Sequence, residues 1–450
     1  MDSRNQSEST SQKEITIVLD DDPTGTQSVS GVSVILQPDY ETLRSELVQG
    51  PIGNALYVLT NTRALPQAQA VALLIRIKAD AERAAVEANV AVRFLLRSDS
   101  TLRGHVFAEM EALSGGIRGT ALFVPAFPEC GRVTRGGVHY LLTNSNEDAT
   151  TTNWIPVAAT EFAQDPVFGY KGATMQEWVE EVSHGSWKLK SVTLDDYANI
   201  GIASAVCRAL LEAEQGTVVV PDAQSYEDLL RVADGLRMAE EQGKEVIVRS
   251  ASTFASIRCG LKSRAMERVA MPGSGRLLIV CGSHTAASSR QLKQLERHTG
   301  ETAIVLPTQQ LLHHEQIAAA EIAERLAVKL NESKLAIVAT ERVRLAEHGD
   351  LAIGALVMKA LTNVVAQVAP YCDGVIAKGG ITSADVASVG LGADTAYVAG
   401  QLEPGVSLWL LKAKGNGREI PYCVVPGNVG DEGTLVRLVR KFNAIGGSSQ

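Results

Sequence analysis

Asp20, Asp21 and Asp22 stand in line directly after the apolar run Ile15–Leu19 and directly before Pro23, Thr24 and Gly25. Adjacent like charges repel, so water, a cation or the hydroxyls of a polyol must offset them. A solvated, Asx-capped turn would account for such a run. A carboxylate at a strand end can also act as general base for a hydroxyl or as a metal ligand. A second polar cluster, Arg97 to His105, follows the apolar run Val92–Leu96 and sets Arg97 and Arg103 around Ser98, Asp99, Ser100 and Thr101. Two guanidiniums can grip a carboxylate or phosphate, while Asp99 and the hydroxyls can take sugar hydroxyls. Helix capping with Arg–Asp pairing is the structural alternative. A third arginine, Arg63, closes Thr60-Asn61-Thr62-Arg63 after another apolar run. Three strand ends carrying Asp, Ser/Thr and Arg point to a polyhydroxylated acid as ligand.

The second half repeats a different pattern. Cys281 to Leu292, Ala377 to Ala387 and Val425 to Leu435 each run from an apolar stretch through Gly and Ser/Thr into a helical one. Small residues at a helix start offer N–H groups and the positive end of a dipole to phosphate. Each turn alone is a weak signal; three in one region are better explained by one nucleotide. GxxxxGK[ST] and GxGxxG are both absent, so neither a Walker loop nor a dinucleotide fingerprint is present. The segment Val124 to Leu141 reads as a rigid loop, with Pro125 and Pro128, exposed Arg132 and Arg135, and a tight turn at Gly136–Gly137. His105 and His139 lie near the first cluster and read as structural. His313, His314 and Glu315 have no second ligand pair at metal spacing, so the metal ligands stay unknown.

The elements that must position these residues alternate. Strands are expected at Ile15–Leu19, Val32–Leu36, Leu56–Leu59, Val92–Leu96, Ala121–Val124, Val218–Val220 and Val246–Val248. They continue at Leu277–Cys281, Ala303–Leu306, Leu335–Ala339 and Gly374–Ala377. Helices are expected at Gln67–Asn89, Gly201–Gln215, Ser225–Gln242, Ala286–His298, Glu315–Asn331, Leu351–Val368 and Gly433–Asn443. Strand, helix, strand in repetition means an α/β fold of mostly parallel sheets flanked by helices, with function at the carboxyl ends of strands. Leu142–Gly172 is polar and reads as a long loop. Val269–Arg276, punctuated by Pro and Gly, reads as a linker. It separates a domain over 14–268 from one over 277–445, with a disordered tail at 1–13.

A chain of 450 residues, 45% hydrophobic and 21% charged, has room for two or three such domains. The net charge of −9 argues against a dedicated nucleic-acid or anionic-membrane binder. Six scattered cysteines form no CxxC, which fits reduced thiols in the cytoplasm. The N-terminus has no apolar segment of signal-peptide type, and no stretch is expected to reach the length of a membrane span.

Asp21-Asp22-Pro-Thr-Gly25, Asp99-Ser-Thr-Leu-Arg-Gly104, Pro125-Ala-Phe-Pro-Glu-Cys-Gly-Arg132, Gly379-Gly-Ile-Thr-Ser383 and Pro426 to Leu435 occur in an order that resembles the four-carbon acid sugar kinase family. The resemblance spans Val18 to about Phe442. It implies two α/β domains, the first for a sugar acid and the second for ATP, with the active site in the cleft between them. It implies ATP-dependent phosphorylation, with Mg²⁺, of the terminal hydroxyl of a four-carbon or branched acid such as threonate, erythronate or 3-oxo-tetronate. By the same resemblance Asp21 and Asp22 are catalytic. Asp22, Arg63, Arg97, Ser98, Asp99 and Ser100 would meet the acid, with Arg103 as a further candidate. Ser283, Gly379, Gly380, Ile381, Thr382, Gly427, Asn428, Val429 and Gly430 would hold ATP. Arg97 and Ser98 replace the family's usual lysine and aliphatic residue, which bears on the identity of the acid. Which of Asp21 and Asp22 takes the hydroxyl proton, and whether either helps place Mg²⁺, stays open. So do a homodimer, a metal-dependent sugar-acid aldolase, isomerase or dehydrogenase, and a non-catalytic sugar-acid-binding protein.

Overall fold

The structure, a computed structural model, describes residues 13–144, 152–342, 351–412 and 418–442. Apart from Lys13 the expected tail lies outside the described residues, as do the side chains of His313, His314 and Glu315. The first half carries strands β1 (Glu14–Asp20), β2 (Val32–Ile35), β3 (Ala55–Leu59), β4 (Ala91–Arg97), β5 (Ala121–Val124), β6 (Arg132–Arg135), β7 (Val138–Asn144), β8 (Thr152–Pro156), β9 (Lys188–Val192), β10 (Thr217–Pro221) and β11 (Ile247–Ser250). The second carries β12 (Leu277–Cys281), β13 (Ile304–Leu306), β14 (Leu335–Thr340), β15 (Gly374–Lys378), β16 (Thr395–Glu403), β17 (Val406–Lys412) and β18 (Glu419–Val425).

Fifteen of these form one sheet in the order β13-β14-β12-β15-β18-β17-β16-β2-β3-β1-β4-β11-β5-β10-β9. Both flanks are parallel, and the antiparallel run β18-β17-β16-β2 joins them. The two parallel sheets expected from the strand–helix rhythm are therefore fused edge to edge. The joint is the pairing of β16 with β2, Thr395 opposite Ile35 through Val398 opposite Val32. Central parallel strands are buried on both faces, which is why they read as unbroken apolar runs: β3, β5, β10, β12 and β15 are buried along their whole length. One core cluster runs from Val18 and Tyr57 across to Val398 and Trp409 and on to Leu278 and Val280.

Three expectations need correction. Val124–Leu141 is not a loop throughout, since β6 and the start of β7 lie in it, and Leu142–Gly172 is not one long loop. β6, β7 and β8 build a separate antiparallel sheet, with the Gly136–Gly137 turn at positive φ between β6 and β7. Polar residues such as Thr152 and Asn153 conceal β8, whose first three residues are exposed. A stretch does reach membrane-span length and apolarity, at Ile353–Tyr371. It spans most of the helix Leu351–Val368, which buries Leu361, Val364, Val365 and Val368 in the core, and the 3-10 turn Ala369–Tyr371 that follows.

Candidate active site

The carboxyl ends of β1, β3 and β4 bring the aspartate run, Arg63 and the Arg97–Arg103 loop to one place. Each aspartate there has a different environment. Asp20, the last residue of β1, lies in register with Arg97 of β4, and Arg97 Nη1 donates to its Oδ1 at 3.1 Å. A Cβ on Gly25 would collide with the Asp20 carboxylate, so the glycine of the Pro-Thr-Gly turn makes room for it. Burial pushes Asp20 up to about 7 despite Arg97. Asp21 is also buried, and three guanidiniums surround it beyond hydrogen-bond reach: Arg63 Nε at 3.5 Å, Arg97 Nη1 at 3.7 Å and Arg249 Nη2 at 3.8 Å. Burial raises it to about 6. Arg249 itself is fully buried and donates to Glu109 at 2.6 Å.

Asp22 alone of the three lines the cleft. Its Oδ1 caps the 3-10 turn Pro23–Ser28 by accepting from Thr24 N at 2.7 Å, and its Oδ2 pairs with Arg63. Burial would raise Asp22, but the Arg63 and Arg97 guanidiniums and the Thr24 hydrogen bonds outweigh it and hold the group below the usual carboxylate range. It is therefore a carboxylate at neutral pH, half-buried and facing the second half of the chain.

The Arg97–Arg103 loop divides in the same way. Asp99 and Arg103 line the cleft, and Arg103 Nε donates to Asp99 Oδ2 at 2.8 Å. Arg103 also reaches Asp165 at 3.3 Å and lies 5.3 Å from the Phe162 ring. Burial raises Asp99, but Arg103 and Arg63 outweigh it and hold the carboxyl well below its ordinary value. Arg97, Ser98 and Ser100 are buried behind the cleft wall. Arg97 spends its guanidinium on Asp20, on the Asp22 carbonyl at 3.4 Å and on Ser252 Oγ at 3.2 Å. From below, His139 of β7 bonds the Ser100 carbonyl at 2.9 Å, and the Tyr170 hydroxyl donates to the Thr101 carbonyl at 2.9 Å. Burial lowers His139 to about 4, so it is a neutral strut.

Opposite stand the glycine-rich turns, packed into one another. A Cβ on Gly427 would come 2.7 Å from Ser283 Oγ, and one on Gly379, at φ +121°, would come 3.2 Å from Ser283 Cβ. Thr285 caps the helix Ala286–Thr299 and donates to the Gly427 carbonyl at 2.8 Å. Ser283, Gly379, Gly380, Ile381, Thr382, Gly427 and Asn428 line the same cleft of about 460 Å³ as Asp22, Arg63, Asp99 and Arg103. Val429 and Gly430 stand behind that wall. Such a cradle of close-packed backbone at two helix starts fits a polyphosphate. Among the described residues no group of His, Cys, Asp and Glu has the geometry of a metal site.

Several lining residues carry no signal in the sequence. Glu161 and Phe162 come from a 3-10 turn beyond β8, inside the segment that reads as loop. Ile353, Gly354, Val357 and Met358 form one helix stripe on the cleft. Their spacing is that of any core helix, so only the fold distinguishes them. Thr308 and Glu341 complete that side, the Glu341 carboxylate accepting from Thr308 N at 3.2 Å. The Arg132 and Arg135 stretch does not line the cleft; it forms the β6–β7 hairpin.

Residues 16–258 match the family described as a sugar-binding N-terminal domain, and residues 278–435 match a nucleotide-binding C-terminal domain. A D-threonate kinase of Cupriavidus necator is 27% identical over 321 residues, covering 70% of this chain and 72% of that protein. Two solved structures share the fold. One, titled a putative tRNA synthase, from Salmonella typhimurium LT2, has a TM-score of 0.68 at 17% identity, covering 95% of this chain and 99% of that one. The other, Haemophilus influenzae protein HI1011, has a TM-score of 0.62 at 18% identity with the same coverage.

Proposed function

The chain belongs to the four-carbon acid sugar kinase family, and from that premise we propose that it is an ATP-dependent kinase for the terminal hydroxyl of a four-carbon or branched sugar acid, with threonate, erythronate and 3-oxo-tetronate as the first candidates. One observation carries the proposal: Asp22, Arg63, Asp99 and Arg103 share a single cleft with Ser283, Gly379–Thr382, Gly427 and Asn428. Residues 14–268 then bind the acid, residues 277–445 bind the nucleotide, and 269–276 link them.

Phosphoryl transfer asks a protein mainly for positioning and charge stabilisation. Arg63 and Arg103 hold the acid's carboxylate, exchanging part of their present pairing with Asp22 and Asp99 for the substrate. Asp99 accepts from substrate hydroxyls. Asp22 accepts the hydrogen bond of the reacting hydroxyl and aims its oxygen at the phosphate held over Gly379 and Gly380. Asp21 and Arg97 act from behind, setting the positions of Arg63 and of the Asp22 backbone. Mg²⁺ arriving with ATP would neutralise phosphate charge, and Asp22 would be the candidate carboxylate to help hold it. The Gly427–Asn428 turn and the turn at Ser283 keep the nucleotide in line.

The test is incubation with ATP and a panel of tetronates and branched acids, following ADP release and product mass. An acid that gains one phosphoryl group while ADP forms supports the proposal. Absence of acid-dependent ADP release across the panel rejects it.

A further inference from the structure

Lys378, the last residue of β15, is fully buried directly behind the glycine-rich turns. Its ammonium donates to the Pro426 carbonyl at 2.6 Å and to the Val429 carbonyl at 3.2 Å. The Val429 carbonyl also accepts from Gln291 Nε2 at 3.0 Å, and the Gly427 carbonyl accepts from Thr285 at 2.8 Å and Ser288 at 3.1 Å. Three carbonyls of this turn are thus taken up by side chains around it, while Gly427 and Asn428 line the cleft.

Carbonyls alone are a poor exchange for water around a cation. Removing an ammonium from water costs several kcal/mol, and burial normally brings a carboxylate with it. Among the described residues no carboxylate pairs with Lys378. The ionisable groups facing it are the thiols of Cys281 on β12 and Cys423 on β18, and burial pushes both upward, so they are neutral. Burial in turn lowers Lys378 to about 8. A hydrophobic residue would fill this space more stably if packing were the only requirement.

We propose that Lys378 is a positioning cation for the phosphate site, whose counter-charge arrives with the phosphates of the bound nucleotide. The inference rests on the nucleotide assignment proposed above. The ammonium does not touch the ligand. It orients the Pro426–Val429 turn through two carbonyls, and its charge acts on the phosphates through a medium that screens little.

The test compares binding of ATP, inorganic tripolyphosphate and adenosine to the full chain and to Lys378→Met and Lys378→Gln, with circular dichroism confirming the fold. The expected result is an affinity loss of about tenfold or more for ATP and tripolyphosphate in both variants, with adenosine unchanged. In turnover, KM for ATP should rise while KM for the acid stays constant. Wild-type affinity in Lys378→Gln, which keeps a donor but no charge, would overturn the proposal, as would equal weakening of ATP and adenosine. A second measurement needs no variant. ATP binding near pH 8, where ATP itself is fully ionised, followed calorimetrically in buffers of different ionisation heat, should take up a fraction of a proton, and adenosine none. Absence of uptake with ATP contradicts the proposal. Failure of wild type to bind ATP would count against the nucleotide assignment instead, and tripolyphosphate would still test Lys378.

Discussion

Asp22 and Gly380 touch across the cleft: a Cβ on Gly380 would come 2.6 Å from Asp22 Oδ2. One residue ends the aspartate run of the first half, and the other opens the helix that follows β15 in the second. The contact leaves no room for a side chain, so the Gly379–Gly380 turn and the Asp22 carboxylate are placed by each other. Gly380→Ala should displace the Asp22 carboxylate and lower kcat about 10²-fold, the scale expected for a misplacement of about 1 Å. Steady-state kinetics on a variant with wild-type circular dichroism checks this; an unchanged kcat would mean the contact has no part in turnover.

Arg63 ties the three carboxylates together, pairing with Asp22 and lying 3.5 Å from Asp21 and 3.8 Å from Asp99. A lysine keeps the charge but not the fork. Arg63→Lys should therefore lower kcat/KM for the acid by about 10² while leaving KM for ATP near the wild-type value. Comparable losses for both substrates would remove Arg63 from the acid side.

Burial lifts Asp20 to about 7 and Asp21 to about 6 from an ordinary 3.8. Between those values the folded protein keeps protons that the unfolded chain has released. The stability these groups contribute is complete below about pH 4 and is lost as pH rises to about 7. One carboxyl can supply a slope of at most about 1.4 kcal/mol per pH unit. Urea unfolding of Asp20→Asn between pH 4.5 and 7.5 should show a flatter decline than wild type, and an identical slope would contradict the assignment.

The Pro23–Ser28 turn is held by the second half as well. The fully buried Trp409 indole donates to Thr26 Oγ1 at 2.9 Å, and Thr26 Oγ1 lies 3.1 Å from Ser407 Oγ. Thr26→Val strands that indole N–H and should cost about 1–3 kcal/mol in urea unfolding. A cost below about 0.5 kcal/mol would show that the seam does not depend on this bond.

How much of this was legible depended on where each residue's meaning is set. β1 beyond Glu14, β3, β12 and β15 announce themselves as apolar runs because both faces are covered. The edge strand β9 carries Lys188 and Lys190 and does not. The joint β16–β18 shows mixed burial along β16 and lies outside the helix–strand rhythm, so the fusion of the sheets was not readable. Asp22, Asp99, Arg103 and the glycine turns stood out because strand ends and helix starts expose polar backbone. Arg97 and Arg103 look alike in sequence, yet Arg97 ends β4 in register with Asp20 and turns inward, while Arg103 follows the loop out to the cleft. Register decides between them, and register belongs to tertiary pairing. Lys378, a lysine before Gly-Gly, reads as ordinary surface charge until its burial is known.

Reaction of acid and nucleotide at Asp22 is tested most directly by acid-dependent ADP release from wild type and Asp22→Asn at saturating ATP. The expected result is turnover in wild type with at least one four-carbon or branched acid, and a loss of about 10² or more in kcat for Asp22→Asn with ATP affinity retained. Full activity in Asp22→Asn, in a variant that folds as wild type does, would contradict it.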